Sequence, residues 1–443
     1  MAALFTCVVC ALVGAAVASL LACIPGLHIY NVLALTALAF QAWSGGGWLA
    51  GEAFTALTVA MTVGYAMLNT VPSVFLAAPD ESALFTVLPG QKYLMAGRGR
   101  EAVLITAAGG AVGLFAICLV LAPLGPRLLP VIWTVLRPHA HWVLWCVIAF
   151  MLMSEWPRRV AIGVPGWRRF LAAWRNLGVG LLTFLLSGLL GFLLLYRSPI
   201  PPEFAFQNLL PAFAGLFTLP WLLLNLAARA TPLPQRADRG VPLDVPTLLH
   251  GGLAGVLGGG FAAFIPVITG GVGGFLAGHA TAIRNDRMFL VSQGAAKVVY
   301  YVAGLLLFFV PGLHTARGGA AAMLMTFGVP QDRAAWFLAL AAAALAGAVA
   351  CALVSPLTSL TIAAVARFGC RRLSWASLAL ILAVVLTATG GRGLAVAVVA
   401  AGIGLLPVLF GSRRMNCLGV ILLPMACNLS GFGPAVARAL GLL

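Results

Sequence analysis

The chain has 443 residues, of which 62% are hydrophobic and 8% charged, and its mean hydropathy is +1.06. A soluble domain carries about 25% charged residues, so a water-soluble fold of this length is excluded, and the alternation of a transmembrane barrel is absent. The net charge of +16 would suggest nucleic acid on a soluble protein. Here the basic residues stand in short loops between apolar runs, where topology and anionic headgroups account for them.

A hydrocarbon core about 30 Å thick takes roughly 20 apolar residues per helix. Apolar runs cover 2–23, 29–43, 53–77, 102–122, 128–153, 177–196 and 206–229. They resume over 246–264, 271–283, 288–311, 334–366, 374–389, 393–410 and 416–442. The expected fold is therefore all-α, a polytopic helical membrane protein of roughly 10–14 membrane segments. The polar stretch Arg229 to Asp244, RATPLPQRADRGVPLD, separates the runs. It predicts a first membrane repeat over 1–230, a hinge loop over 231–245 and a second repeat over 246–443.

Arginines gather at Arg158, Arg159, Arg168, Arg169 and Arg175, at Arg229, Arg236 and Arg239, at Arg367, Arg371 and Arg372, and at Arg413 and Arg414. The spans between them place all four groups on one side, the cytoplasmic side of an inner (plasma) membrane.

The first half opens with an apolar run broken by Ile24-Pro25-Gly26-Leu27-His28. The second opens with one broken by Ile265-Pro266-Val267-Ile268-Thr269-Gly270-Gly271. Each half later carries a Pro-Gly with Arg-Gly beyond it: Pro89-Gly90 with Arg98-Gly99, and Pro311-Gly312 with Arg317-Gly318. This pattern reads as an internal duplication. Proline lacks an N–H, and glycine reaches conformations that other residues avoid. A break at membrane depth frees backbone groups, and it persists only when buried in protein or lining a watery cavity. Secondary transporters use broken helices in this way, with half-helix N-termini facing anionic substrate groups. Gly251, Gly255 and Gly259, and then Gly270, Gly274 and Gly278, are expected to let the two arms of a hairpin pack closely.

Scarce ionisable residues near apolar segments are functional candidates. Lys297 is one of only two lysines and stands with His28 as a counter-charge for an anion. Asn31 follows the first break. Asp80 and Asp286 are the candidates for ion coupling, although Asp286 is flanked by Arg284 and Arg287, which favour a local ion pair. The nine cysteines mostly fall inside apolar runs and imply no disulfide framework. No enzyme motif is present, and neither a cofactor nor a metal is expected.

The segment Val71 to Thr106, VPSVFLAAPDESALFTVLPGQKYLMAGRGREAVLIT, together with IPGLHIYN at 24–31, resembles the TctA family. That family supplies the large membrane subunit of tripartite tricarboxylate transporters, and the likeness is closest to its smaller archaeal-type branch. It is carried mainly by residues 20–110 and more loosely by 246–325. The resemblance implies a permease of two related halves that moves small carboxylates with an ion gradient. It also implies a small membrane subunit and a periplasmic binding protein as partners. By the resemblance, the two Pro-Gly turns meet at the substrate site, which singles out Pro25, Gly26, His28 and Asn31, then Pro266, Thr269, Gly270 and Gly271. Val267 departs from the family pattern, which has glycine after the proline. The expected function is a secondary transporter of a small organic anion, with Lys297 in the substrate site. A lipid-phosphate translocase and a non-transporting membrane scaffold are the alternatives.

Overall fold

A computed structural model describes residues 2–44, 51–156, 165–201, 208–228, 233–236, 240–241, 243–310, 313, 315, 318–327 and 329–443. Pro311, Gly312, Arg317, Arg158, Arg159, Arg229 and Arg239 lie outside the described residues. Eight helices among the described residues are long and apolar enough to cross a membrane. The chain is helical and polytopic, as its composition requires.

Two compact units form, and each takes part of both sequence halves. One comprises residues 1–137 and 229–373, and the other comprises 138–228 and 374–443.

The first unit is built around two helical triplets. In the first, α1 (Ala2–Leu21) ends at the Pro25 break, α2 (Ile29–Ser44) follows, and then α3 (Gly51–Leu68). In the second, α12 (Val245–Phe264) ends at the Pro266 break, followed by α13 (Gly270–Ala280) and α14 (Asp286–Leu306). Gly14 lies against Leu57 and Met61, and Gly64 against Ala15 and Ser19, so α1 and α3 run parallel. Gly251, Gly255 and Gly259 lie in turn against Val291, Ala295 and Val299, so α12 and α14 are parallel too. The middle helix of each triplet must therefore turn back from its break, making a re-entrant hairpin. Across the triplets the order reverses. Tyr301 packs on Tyr65 with ring centroids 5.9 Å apart, while Lys297, earlier in α14, meets Asn69 just beyond α3. The two hairpins enter from opposite sides.

The glycine stripe was expected to join the two arms of the second hairpin. Instead Gly251, Gly255 and Gly259 seat the long helix α14, and the arms of the hairpin meet through Gly258 and Gly273. Close approach yields most between two long parallel helices, because contact accumulates along their whole length. After α3 come α4 (Thr70–Phe75), a loop, α5 (Val87–Met95) and α6 (Gly99–Ala116). Helix α6 lies on α14, and Gly294 packs so closely on the Thr106 carbonyl that a Cβ there would clash with it.

The apolar runs at 334–366, 374–389 and 393–410 fall within one helical stretch, Arg333–Phe410, of 78 residues. At 1.5 Å per residue it would reach about 117 Å, several times the hydrocarbon thickness. Left-handed φ values of 76° at Gly369 and 67° at Gly390 divide it, where the sequence had its polar gaps.

The second unit holds α8 (Ala140–Met153), α9 (Gly166–Tyr196), α11 (Leu219–Ala227), α17 (Gly419–Leu429) and α18 (Gly433–Ala439). Gly180 faces Asn416, Gly188 faces Leu423 and Gly419 faces Phe184, so α17 follows α9 in parallel. Glu155 is buried beneath them. It accepts from the Arg413 N–H at 2.9 Å and from Asn416 Nδ2 at 2.8 Å. Burial pushes its carboxyl pKa up, and these two donors pull it back.

Candidate functional site

The two hairpin tips and the loop after α4 meet in the first unit. The loop carries Asp80, Glu81 and Ser82, and Thr269 at the second tip donates to the Glu81 carbonyl at 3.3 Å. A Cβ at Gly271 would lie 2.6 Å from the Ser82 carbonyl oxygen, so the tip rests directly on the loop. Thr269 also caps α13, accepting from the Val272 N–H. The N-terminus of α13, with its partial positive charge, therefore stands over the acidic loop.

His28, at the first tip, reaches the same loop. Its Nδ1 accepts the Tyr30 backbone N–H at 3.2 Å, so the ring proton belongs on Nε2. Nε2 lies 3.1 Å from Glu81 Oε1 and 3.1 Å from the Tyr301 hydroxyl. Tyr301 also donates toward Asp80 Oδ2 at 3.3 Å.

Asp80 is the most heavily bonded group of the site. Its Oδ2 accepts from Tyr65 at 2.8 Å and from Asn69 Nδ2 at 2.6 Å. Its Oδ1 accepts from the Ser82 hydroxyl at 2.8 Å, the Ser82 N–H at 3.1 Å and the Ala83 N–H at 2.7 Å. Asn69 turns its other face to Lys297, whose Nζ donates to Asn69 Oδ1 and Thr70 Oγ1. Lys297 is 1% exposed. One amide thus separates the buried ammonium from the Asp80 carboxylate.

Of the residues singled out from sequence, His28, Asp80, Thr269, Gly271 and Lys297 converge here. Gly270 packs on the Lys297 backbone, and Pro266 lines a cavity beside Tyr301. Pro25 is buried at the first tip, and Asn31, one turn on, gives its N–H to the His28 carbonyl at 3.0 Å. Asp286 stands apart: it takes Lys92 at 2.9 Å, on a more exposed surface. Its expected arginine neighbours are not its partner in that bridge, and Arg287 lies 3.7 Å from Glu101 instead. Glu81, Tyr65, Asn69 and Tyr301 were not singled out as site residues. The signal available for Tyr301 was its place one helical turn beyond Lys297.

The cavity beside the cluster, lined by Tyr30, Pro266, Val267 and Tyr301 among others, is about 50 Å³. That admits waters but not an organic ion. A larger cavity of about 240 Å³ lies between Leu4, Glu52 and Asp332 and shares no lining residue with the cluster. His28, Asp80 and Glu81 bring ligand-type atoms within 4.8 Å of one another. The Nε2 proton, fixed by Tyr30, turns His28 into a donor and disfavours it as a metal ligand.

Gly26 has φ 75° and Val267 has φ 57°, so the residue after each proline is left-handed despite the glycine-to-valine difference. A β-branched residue there is strained by on the order of 1–3 kcal/mol. Val267→Gly is expected to raise Tm in detergent, because relief of strain exceeds the roughly 0.5–1 kcal/mol entropic penalty of glycine. Gly26→Val should lower it. A fall in Tm for Val267→Gly, or a rise for Gly26→Val, would show that the two tips do not share this backbone.

The sequence pattern of the tripartite tricarboxylate transporter TctA family matches residues 8–419. The uncharacterised protein MJ1079 of Methanocaldococcus jannaschii is 24% identical over 288 residues. That alignment covers 64% of this chain and 64% of the relative's length. No solved structure matches. With nearly its whole length matched, this multi-pass membrane chain belongs to the TctA family of tripartite tricarboxylate transporter components.

Proposed function

We propose that the chain is the permease of a secondary active transporter for a small organic anion, a carboxylate, bound near the midplane between the two broken tips. The observation that carries this reading is the meeting of two oppositely oriented hairpins on one buried charged cluster. The matching order of helix, break, short helix and long helix in each half supports an internal duplication, with inverted repeats over 1–230 and 246–443. Proline-broken tips and the N-terminus of α13 suit a carboxylate, and Lys297 and His28 supply polar contact.

The cluster holds two carboxylates and one ammonium, so an anion entering alone would meet excess negative charge. A co-bound cation removes that repulsion, which makes ion coupling part of the same reading. Glu81 is the coupling group in this account, because Asp80 is already saturated by protein donors. Asp286 serves the N-terminus of α14 instead, with Lys92. A small membrane subunit and a periplasmic binding protein complete the proposed assembly, in an inner membrane with the arginine loops toward the cytoplasm.

The test is uptake of radiolabelled di- and tricarboxylates into proteoliposomes under proton or sodium gradients, with Pro25→Ala and Lys297→Ala beside the wild type. Gradient-dependent uptake that both variants lose is the expected result. Unchanged uptake in both would remove the site assignment. Movement of polyprenyl phosphate without any carboxylate would replace the function.

A further inference from the structure

The second unit contains a buried cation that the transport reading does not use. The chain makes a wide π turn over Ala214–Thr218, just ahead of Pro220, which has no N–H to return to the preceding turn. Into this turn reaches Arg414, whose Nη2 donates to the Phe217 carbonyl. Its guanidinium carbon lies 5.3 Å from the centre of the Trp221 ring. Arg414 Nε and Nη1, Trp221 Nε1 and Ser412 Oγ are shielded from water and bond to nothing among the described residues. Glu155 does not serve them, being held by the Arg413 N–H and Asn416. A shielded guanidinium without a counter-charge is costly, and unpartnered donors on two side chains call for an external acceptor.

The level of the site identifies that acceptor. Helix α9 has 31 residues, a length of about 46 Å against a hydrocarbon core of about 30 Å. Its first turns, Gly-Trp-Arg-Arg-Phe-Leu-Ala-Ala-Trp-Arg, extend into the headgroup layer. There Trp167, Phe170 and Trp174 are more than half exposed, and Trp156, Phe170 and Trp174 pack edge to face with centroids 5.9–6.4 Å apart. Arg168, Arg169 and Arg175 are interleaved with them. Tryptophan and arginine together mark a membrane interface. Because Asn416 faces Gly180, Arg414 stands just inside this collar. Both Arg414 and Trp221 are half-buried, which leaves part of each residue at the protein surface.

We propose that Arg414 and Trp221 form a binding site for the phosphate of an anionic lipid headgroup, seated under the arginine and tryptophan collar of α9. The guanidinium and the indole N–H donate to phosphate oxygens, and the acyl chains lie along the exposed apolar faces. The lipid is a fixed component of the second unit and is not cargo.

The purified wild type is placed in nanodiscs of phosphatidylcholine alone, or of an equal mixture with phosphatidylglycerol. Thermal unfolding and native mass spectrometry follow. The expected result is a Tm several degrees higher with phosphatidylglycerol and a retained phosphatidylglycerol in the spectrum. Arg414→Gln should abolish both effects. Trp221→Phe keeps the ring face, removes the N–H and should weaken both. Since Arg414→Gln also removes the bond to the Phe217 carbonyl that holds the π turn in any lipid, Trp221→Phe keeps the test decisive. Equal responses of the wild type and Trp221→Phe to phosphatidylglycerol, with no lipid retained by either, would overturn the proposal. So would stabilisation of the lipid-free protein by inorganic phosphate to the same extent. None of these readouts depends on transport.

Discussion

Replacing Lys297 with methionine is expected to abolish uptake and to lower thermal stability more than any other single change at the cluster. The ammonium is fully buried and held by Asn69 and Thr70, with Asp80 on the far side of the Asn69 amide. His28 accepts the Tyr30 N–H at Nδ1, so in that tautomer it contributes no positive charge. Removing Lys297 leaves two carboxylates without a compensating cation in the cluster, and it orphans two buried oxygens. Breaking a buried charge arrangement from one side costs about 3–5 kcal/mol. Thermal unfolding in detergent measures this loss directly, and Lys297→Met combined with Asp80→Asn should recover part of it without restoring uptake. A Lys297→Met protein with wild-type Tm and wild-type uptake would show that the ammonium has neither role.

The second large effect is a contrast between adjacent acids. Asp80→Asn is expected to destabilise the protein. Glu81→Gln should leave it folded while removing the dependence of uptake on an ion gradient. Asp80 gathers Tyr65, Asn69, the Ser82 hydroxyl and the N–H groups of Ser82 and Ala83. An amide cannot accept on both ends, so at least one buried donor loses its partner, at about 1–3 kcal/mol. Among the described residues the Glu81 carboxylate is met by His28 at 3.1 Å and Tyr301 at 3.4 Å, bonds that a glutamine can largely keep. Proteoliposome uptake with and without an imposed gradient, beside thermal unfolding, separates the two residues. Equal losses of stability in both variants would make the loop a single structural unit and remove Glu81 from coupling.

The breaks and the scarce charges pointed to several residues of the candidate cluster. Proline has no N–H and lysine is unwelcome in hydrocarbon, so Pro25, Pro266, Asp80 and Lys297 were conspicuous in a chain this apolar. Tyr65 and Tyr301 gave no such signal, since a tyrosine in an apolar helix is ordinary packing until its hydroxyl meets a carboxylate. Asp286 shows the converse. Its nearest charges in sequence are Arg284 and Arg287, yet its partner is Lys92, 194 residues away.

The sequence by itself determined that this chain is helical, that it lies in a membrane, where its helices break, and which family it resembles. Those properties follow from local chemistry: apolar length against bilayer thickness, and the missing N–H of proline. Only the tertiary structure decided that the two hairpins run in opposite directions, that Val267 takes the left-handed conformation of Gly26, and that Asp80 is saturated while Glu81 is not. It also decided which surface each glycine stripe would seat. These outcomes depend on which distant groups meet, and hydrogen-bond saturation is a count of neighbours that no residue carries in its own side chain.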